Sequence, residues 1–395
     1  MNPPGTFRCP RDIHWGRGSL AHLETMGRKR VLIVTDAVMT RLGVTARAEE
    51  LLRKGGAETQ VFDAVEPEPS IDTVQRILKQ YGDFAPQVIL GIGGGSAIDA
   101  SKGFRIFWEH PHLTFADVRR MEAPPRASIP PFTRTLHVAV PSTSGTGSEA
   151  SYACILNDPV LSVKCPILSA ELIPDRAIVD PDLADSMPPA VLADSGLDAL
   201  THAVESYVNL RASDFSRGLS LQAITLIMRH LPAAFLERAP LAMEHMHYAG
   251  TIAGLAFSNS SNGICHTIAD KVGARFNLTH GRANAIALPF TIQYNRTAAG
   301  TRFTEIAVAI GHQGKDADAA IDQLVQGIRS LEHDLQVPGS FRQAGIPENL
   351  YYASVDEFAE KSLTFGPTLV NPRKPTIEEL RELFIACYEG EYRLR

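Results

Sequence analysis

The stretch "QVILGIGGGSAIDASKG" (residues 87–103) indicates the fold class of the first half of the chain. Its apolar beginning is typical of a strand buried on both faces, and a glycine-rich turn and a helical segment follow directly. Such a turn exposes backbone N–H groups at a helix N-terminus, where the helix dipole favours an anion. Gly94 and Gly95 permit close approach of phosphate oxygens, and Ser96 adds a hydroxyl donor. The spacing is neither the GxGxxG fingerprint nor a P-loop, so tight packing alone would equally explain the glycines.

Strand and helix alternate on both sides of this stretch. Further strands are expected at 30–36, 58–65 and 134–143, with helices at 40–56, 70–82 and 97–108. This alternation of strands and helices predicts a parallel sheet with right-handed crossovers.

Two polar features follow strands of this predicted sheet. The turn "PSTSGTGSEAS" (141–151) is rich in hydroxyl donors, although a surface loop would also explain its composition. Asp36 ends the first long strand, where a carboxylate accepts hydrogen bonds from ribose hydroxyls and repels a 2′-phosphate. It therefore favours NAD over NADP, the alternative being a helix cap.

The second half of the chain is predicted to be helical. Amphipathic or apolar helical segments occupy 193–208, 216–231, 241–258, 314–335 and 375–390. In the last of these, Thr376 and Glu379 form a capping box behind Pro375. We therefore expect two domains, 1–187 and 188–395. The length of 395 residues agrees with this, because a chain so long usually folds around more than one hydrophobic core.

Charge and composition exclude several classes of function. The net charge is −6 and Lys and Arg form no run, which argues against nucleic acid and anionic membranes as partners. We expect no membrane span, because uninterrupted apolar runs are too short, and no signal peptide. The five cysteines are scattered without a CxxC pair, so a cytoplasmic location is expected.

The segment "SGLDALTHAVESY" (195–207) carries an acid and an imidazole on one helix face, at Asp198 and His202. Downstream, His266 and His280 add two further imidazoles. One carboxylate and three neutral imidazoles without a thiolate suit Fe(II) or Zn(II). From spacing alone, a buried hydrogen-bonded pair remains the alternative.

The chain resembles the iron-activated (group III) alcohol dehydrogenases over nearly its whole length. The motifs that carry the resemblance are "VTD", "GGGSAIDASK", "PSTSGTGSE", "DSMPP", "GLDALTHAVESY", "AGLAFSN", "THGRANAIALP" and "NPRKPT". The resemblance implies a Rossmann-like α/β nucleotide-binding domain followed by an all-α metal-binding domain, as in dehydroquinate synthase-like folds.

The resemblance also implies roles for individual residues. The four metal positions are Asp198, His202, His266 and His280. The cofactor positions, for NAD(H), are Asp36, Gly94, Gly95, Ser96, Asp99, Thr143, Ser144, Thr146, Ser148 and Lys164, with Lys102 beside the pyrophosphate turn; Lys164 has a solvated surface charge as its alternative role.

One departure from the family pattern concerns catalysis. Members commonly carry HxxxH, whereas this chain reads His266-Thr-Ile-Ala-Asp270, and Asn262 replaces an aliphatic residue. Asp270 is therefore the candidate catalytic residue, as a proton relay or a selector of substrate. The alternative is a structural pair with a base such as Lys271 or Arg275.

The expected activity is a metal-dependent interconversion of a small primary alcohol and its aldehyde with NAD(H). We expect a small-molecule substrate and a homodimer or higher homo-oligomer. The alternatives are a maleylacetate reductase, a hydroxyacid-oxoacid transhydrogenase, a dehydroquinate synthase-like lyase and a non-catalytic nucleotide-binding protein.

Overall fold

The computed structural model describes residues 5–119, 126–158, 163–312 and 314–392. The chain divides into two compact units, one from Arg8 to Met187 and one from Pro188 to Arg395 that also includes Met1–Phe7. The predicted order, an α/β unit followed by a helical unit, is confirmed.

The first unit contains a six-stranded, entirely parallel sheet in the order β1-β8-β5-β4-β2-β3. A separate antiparallel hairpin is formed by β6 and β7. The strands are β1 Asp12–Trp15, β2 Arg30–Val34, β3 Glu58–Phe62, β4 Val88–Gly93, β5 Leu136–Pro141, β6 Ala153–Asp158, β7 Val163–Leu168 and β8 Arg176–Val179.

Burial explains which strands the sequence reveals. Every residue of the central strand β4 is buried, so its sequence is a continuous apolar run. By contrast, β1 is only partly buried and has four residues, so it lacks that signal and was not predicted. The hairpin β6–β7 and the short strand β8 were not predicted either. Strand β7 contains Pro166, which argues against a strand, and β8 has only four residues.

The helices of the first unit are α1 Ala37–Arg41, α2 Val44–Lys54, α3 Ile71–Tyr81, α4 Gly95–Glu109 and α5 Phe115–Val118. The helix predicted over 40–56 is confirmed as α2, which ends at the predicted glycines but begins four residues later than predicted. Gly43 has a φ of 76°, a left-handed conformation that separates α2 from the short helix α1.

The second unit is helical throughout the part that the structure describes. Its helices are α6 Pro189–Val208, α7 Asp214–Leu236, α8 Pro240–Ser258, α9 Ile264–Phe276, α10 His280–Ala309, α11 Ala317–Asp334, α12 Glu348–Leu363, α13 Gly366–Leu369 and α14 Ile377–Glu389. The predicted capping box at Thr376 and Glu379 begins α14 and is confirmed.

Helix α6 lies at the centre of this unit and packs against α7, α8 and α10. Gly196 allows the close approach of α7, because a methyl group there would lie 2.8 Å from Leu231. Helix α7 is long and apolar enough to cross a membrane by length and composition, with 33% of its most apolar window buried. A single helix of this kind is weak evidence for a membrane span, because the core helices of other proteins reach the same length and hydropathy.

Candidate metal and nucleotide sites

One face of α6 carries three polar side chains at helical spacing. Asp198, His202 and Glu205 follow one another at i, i+4 and i+7, and all three are buried. Buried charged groups need compensating partners, so this face must meet other polar groups inside the helical unit.

Helices α9 and α10 bring two further histidines to this face. His266 lies in the first turn of α9, and His280 is the first residue of α10. The close approach of α10 depends on Gly281, because a side chain there would overlap the backbone of Asp194 in α6. The glycine beside His280 therefore lets the two helices meet.

The four predicted metal ligands come together in the structure. Ligand atoms of Asp198, His202 and His266 lie within 4.8 Å of one another. The Oδ1 atom of Asp198 is 3.9 Å from Nε2 of His266 and 3.8 Å from Nε2 of His280. The imidazole rings of His202 and His266 are stacked, with centroids 4.5 Å apart.

These residues fit a divalent metal ion. In a tetrahedral site with bonds of about 2.1 Å, ligand atoms lie roughly 3.4 Å apart. The distances from the Asp198 carboxylate to the three histidines, 3.8 to 3.9 Å, are about half an ångström longer than this. Nε2 of His266 is buried and has no hydrogen-bond partner among the described residues. Such a nitrogen is costly to bury unless it binds something. A metal ion would satisfy it.

The carboxyl group of Asp198 is kept in its ionised form by its surroundings. Burial by itself raises the pKa of Asp198, but the three histidines and the Asn284 amide outweigh it. The pKa of Asp198 therefore lies below its ordinary value, and the carboxylate is available as an anionic ligand.

Two residues of this site were missed by sequence reasoning. Glu205 accepts a hydrogen bond of 2.6 Å from Nδ1 of His266. The Nδ2 atom of Asn284 donates to Oδ1 of Asp198 at 2.8 Å and lies 3.1 Å from Nε2 of His280. Helical spacing gives a signal for both, since Glu205 is seven residues from Asp198 and Asn284 is four from His280.

Asp270 lies next to this cluster, on α9 one turn after His266. Its Oδ1 atom is 3.3 Å from Nδ1 of His280, with both side chains about one third exposed (28% and 32%). The departure from the HxxxH pattern therefore places a carboxylate against a predicted metal ligand.

The predicted cofactor residues of the first unit lie at one edge of the sheet. Strands β2, β4 and β5 are parallel neighbours, so the segments that follow them emerge at the same edge. Asp36 follows β2, Gly94 and Gly95 follow β4, and Thr143 follows β5. Ligands of open α/β sheets bind at this edge.

The two predicted turns contact each other through the glycines. A methyl group on Gly95 would lie 3.0 to 3.2 Å from three atoms of the Thr146 side chain, and one on Gly94 would lie 3.4 Å from Thr143. The Oγ1 atom of Thr143 is buried and has no hydrogen-bond partner among the described residues. The glycines at the start of α4 thus let the two turns approach each other, and a hydroxyl group lies beside the N-terminus of this helix.

Asp36 combines two positions that the sequence analysis treated as alternatives. Its Oδ1 atom caps α1 by accepting from the backbone N–H groups of Val38 and Met39. Its Oδ2 atom faces Gly93, where an added methyl group would lie 3.0 Å away. One oxygen caps a helix and the other lies beside the glycine-rich turn.

Asp99 and Ser148 form a buried network within the protein. Oδ1 of Asp99 accepts from the Ser148 hydroxyl at 2.5 Å, and Oδ2 accepts from the Ile155 backbone at 2.9 Å. Lys102 donates to the backbone oxygens of Ser148 and Ala153 at 2.7 and 2.6 Å. Burial raises the pKa of Asp99 and lowers that of Lys102. These groups hold the second turn in place.

The other predicted cofactor residues lie near Glu68 or within the second turn. Lys164 forms an ion pair of 2.5 Å with Glu68, whose backbone N–H donates to the Ser96 hydroxyl at 3.1 Å. Ser144 is fully buried in the second turn. Lys164 and Ser96, distant in sequence, thus share one neighbour.

Comparison with known proteins identifies the family to which the chain belongs. Two family models match the chain, "Iron-containing alcohol dehydrogenase" over residues 10–181 and "Fe-containing alcohol dehydrogenase family, C-terminal" over 192–388. The NADPH-dependent butanol dehydrogenase of Clostridium saccharobutylicum is 37% identical, with 97% of this chain and 98% of that protein covered.

Two further relatives extend the comparison. The bifunctional aldehyde-alcohol dehydrogenase AdhE of Escherichia coli K12 is also 37% identical over 97% of this chain, which spans only 46% of that longer protein. The solved structure of an iron-containing alcohol dehydrogenase from Thermococcus thioreducens has a TM-score of 0.91 at 34% identity, covering 98% of this chain and 100% of that one. Because the match extends over both units at this level of identity, the chain belongs to the iron-containing alcohol dehydrogenase family.

Proposed function

We propose that the protein is a metal-dependent, NAD(H)-linked oxidoreductase that interconverts a small primary alcohol and its aldehyde. The observation that carries the proposal is the cluster of Asp198, His202, His266 and His280, in which a buried His266 nitrogen has no partner among the described residues. The butanol dehydrogenase relative supports an alcohol or aldehyde as the substrate.

The four side chains would hold one divalent ion, Fe(II) or Zn(II), because the set contains imidazole and carboxylate but no thiolate. When bound, the ion supplies Lewis-acid stabilisation of charge on the substrate oxygen, and the nicotinamide supplies or accepts the hydride. The protein contributes a buried carboxylate at Asp198 and an oriented amide at Asn284, which donates to it. Burial of both excludes water from this part of the site.

We propose NAD(H) as the cofactor. Asp36 supports this choice, because its Oδ2 atom lies beside the glycine-rich turn and would repel a 2′-phosphate. The glycine-rich turn of residues 93–95, the Thr143 hydroxyl and the N-terminus of α4 would bind the pyrophosphate.

A cytoplasmic location and assembly as a homodimer or higher homo-oligomer are part of the same proposal. The five cysteines are free thiols, four of them buried, in keeping with a reducing compartment. Exposed Phe215, Leu236 and Leu241 of the helical unit are candidates for an interface. Sedimentation equilibrium would measure the oligomeric state.

The decisive experiment removes and restores the metal. Metal-depleted protein is reconstituted separately with Fe(II) and Zn(II), and NADH absorbance is followed with a panel of short aldehydes and alcohols. The panel includes 2-oxoacids and maleylacetate, which would reveal the alternative activities.

Variants test the ligand set. His266→Ala and His280→Ala should each lose bound metal and lower turnover by orders of magnitude, while NADH binding is retained because its residues belong to the other unit. His333→Ala, a histidine whose side chain is 91% exposed, is the matched control. Full metal occupancy in both ligand variants would refute the assignment.

A further inference from the structure

Two carboxylates outside the proposed ligand set contact the histidines that α9 and α10 contribute. Oε2 of Glu205 lies 2.6 Å from Nδ1 of His266, and Oδ1 of Asp270 lies 3.3 Å from Nδ1 of His280. A carboxylate accepts hydrogen bonds, so the hydrogen shared by Glu205 and His266 belongs to the imidazole Nδ1 atom. In a neutral imidazole the other nitrogen, Nε2, then carries the lone pair.

The Glu205 contact is part of a larger buried arrangement. Besides His266 Nδ1, the Glu205 carboxylate accepts from the backbone N–H groups of Gly263 at 2.8 Å and Cys265 at 2.6 Å. Helix α9 has no side-chain cap of its own at Gly263. Glu205 of α6 therefore caps the helix that carries His266 and binds its imidazole with the same carboxylate.

Gly263 is required for this approach. A methyl group there would lie 2.7 Å from Oε1 of Glu205 and 3.1 Å from Oδ1 of Asn371. Asn371 accepts from the backbone N–H of Ile264 at 3.3 Å, so two buried residues share the first N–H groups of α9. The position of His266 is thus determined by residues on other elements of the unit.

The contact with Asp270 favours the Nδ1–H tautomer of His280 as well. Nε2 of His280 lies 3.1 Å from Nδ2 of Asn284, an amide nitrogen that donates. An Nε2 atom that accepts from Asn284 leaves the hydrogen of a neutral imidazole on Nδ1, the atom that lies 3.3 Å from Oδ1 of Asp270. The Asn284 amide and the Asp270 carboxylate therefore favour the same tautomer, with the lone pair on the nitrogen that lies 3.8 Å from Asp198.

We propose that Glu205 and Asp270 are positioning residues, which hold His266 and His280 in the Nδ1–H tautomer so that each presents Nε2 to the metal. This inference rests on the proposed function, because it assumes the four-ligand set. It gives Asp270, the residue that departs from the family pattern, a role through His280 in place of a proton relay. Partners of this kind raise metal affinity by orienting the ligand and fixing its tautomer.

The test compares two substitutions at Asp270. Asp270→Ala removes the acceptor and should weaken Zn(II) binding about 10- to 100-fold, as measured by chelator competition. Asp270→Asn keeps a carbonyl oxygen that can face Nδ1 of His280, so it should weaken binding less than Asp270→Ala. The matched control is Asp356→Asn, an exposed carboxylate paired with Arg381, which should bind Zn(II) as the wild type does.

The Glu205→Gln variant tests the role of Glu205 independently of Asp270. Either orientation of the amide directs an N–H group at a donor of the chain, so Zn(II) affinity should fall by about 10- to 100-fold. The absorption spectrum of Co(II)-substituted protein should change as well, which a purely structural role would not cause. Melting of the metal-free variant measures the cost of losing the cap; if Glu205→Gln does not fold, the Asp270 series decides alone.

The following outcomes distinguish the explanations. Wild-type Zn(II) affinity in Asp270→Ala overturns the positioning role of Asp270, and a loss of kcat with a changed pH profile in that variant would indicate a proton relay. Wild-type affinity in folded Glu205→Gln overturns the role of Glu205. Retention of Zn(II) in His266→Ala and His280→Ala would instead overturn the ligand set itself. Loss of Zn(II) in those two variants, with wild-type affinity in Asp270→Ala, leaves the proposed function intact.

Discussion

Replacing the buried Glu332 by Gln should remove a pH-dependent loss of stability in the helical unit. Glu332 lies near the end of α11 and is 2% exposed. Its Oε2 atom is 3.9 Å from Nη1 of Arg329, and Oε1 is buried without a hydrogen-bond partner among the described residues. Burial, only partly offset by Arg329, raises the pKa of Glu332 from 4.5 to about 8.

The sign and size of the effect follow from the two pKa values. Between 4.5 and about 8 the folded protein keeps this carboxyl protonated while the unfolded chain releases the proton. The contribution of the protonated Glu332 carboxyl group to the free energy of unfolding is fully present below pH 4.5. It is lost as the pH rises from 4.5 to about 8. From pH 5 to pH 8 the free energy of unfolding falls by about 1.36 kcal/mol for each pH unit, which gives a loss of about 4 kcal/mol.

The assay compares wild type and Glu332→Gln by thermal and urea unfolding at pH 5, 7 and 9. Gln is neutral throughout, so the two proteins should differ by less than about 1 kcal/mol at pH 5 and by about 4 kcal/mol in favour of the variant at pH 9. For a unit of this size that gap corresponds to roughly 10 °C in Tm. Other titrating groups are common to both proteins and cancel in the difference.

Glu348→Gln, an exposed carboxylate in an ion pair with Arg342, is the matched control and should show no gap that grows with pH. The reasoning is refuted if the stability difference between Glu332→Gln and wild type is the same at pH 5 and pH 9. A variant less stable than wild type at pH 9 would refute it as well.

Three further predictions concern the two sites. Asp36→Gly should raise the NADPH to NADH ratio of kcat/KM more than about tenfold, because it removes a charge that repels the 2′-phosphate; an unchanged ratio would mean that Asp36 does not face the ribose. Gly95→Ala should weaken NADH binding at least about tenfold in fluorescence titrations, because the added methyl group collides with Thr146, and wild-type affinity would contradict the assignment of this turn. Gly281→Ala should lower metal content, because its methyl group overlaps the facing helix and displaces His280, whereas Gly218→Ala, with nothing within 4 Å, should retain full metal in elemental analysis.

Features that depend on local spacing are predictable from the order of the residues. Asp198 and His202 share a face because a helix repeats every 3.6 residues, and a buried parallel strand such as β4 must be apolar throughout. The capping box at Thr376 was equally predictable, because both partners lie within one turn. The short, half-buried strand β1 lacked such a signal, and Gly43 was not recognised as the end of a helix.

The contacts between side chains of different elements depend on how the helices and strands pack. Glu205 is visible in the sequence at i+7 from Asp198, yet its role depends on α9 beginning 59 residues later against the same face of α6. Likewise, the partner of Asp270 is His280, on the next helix. Periodicity determines the face on which a residue lies, but the packing of helices determines what that face contacts. At Gly263 the cap of α9 is provided by another helix, so no local pattern could have revealed it.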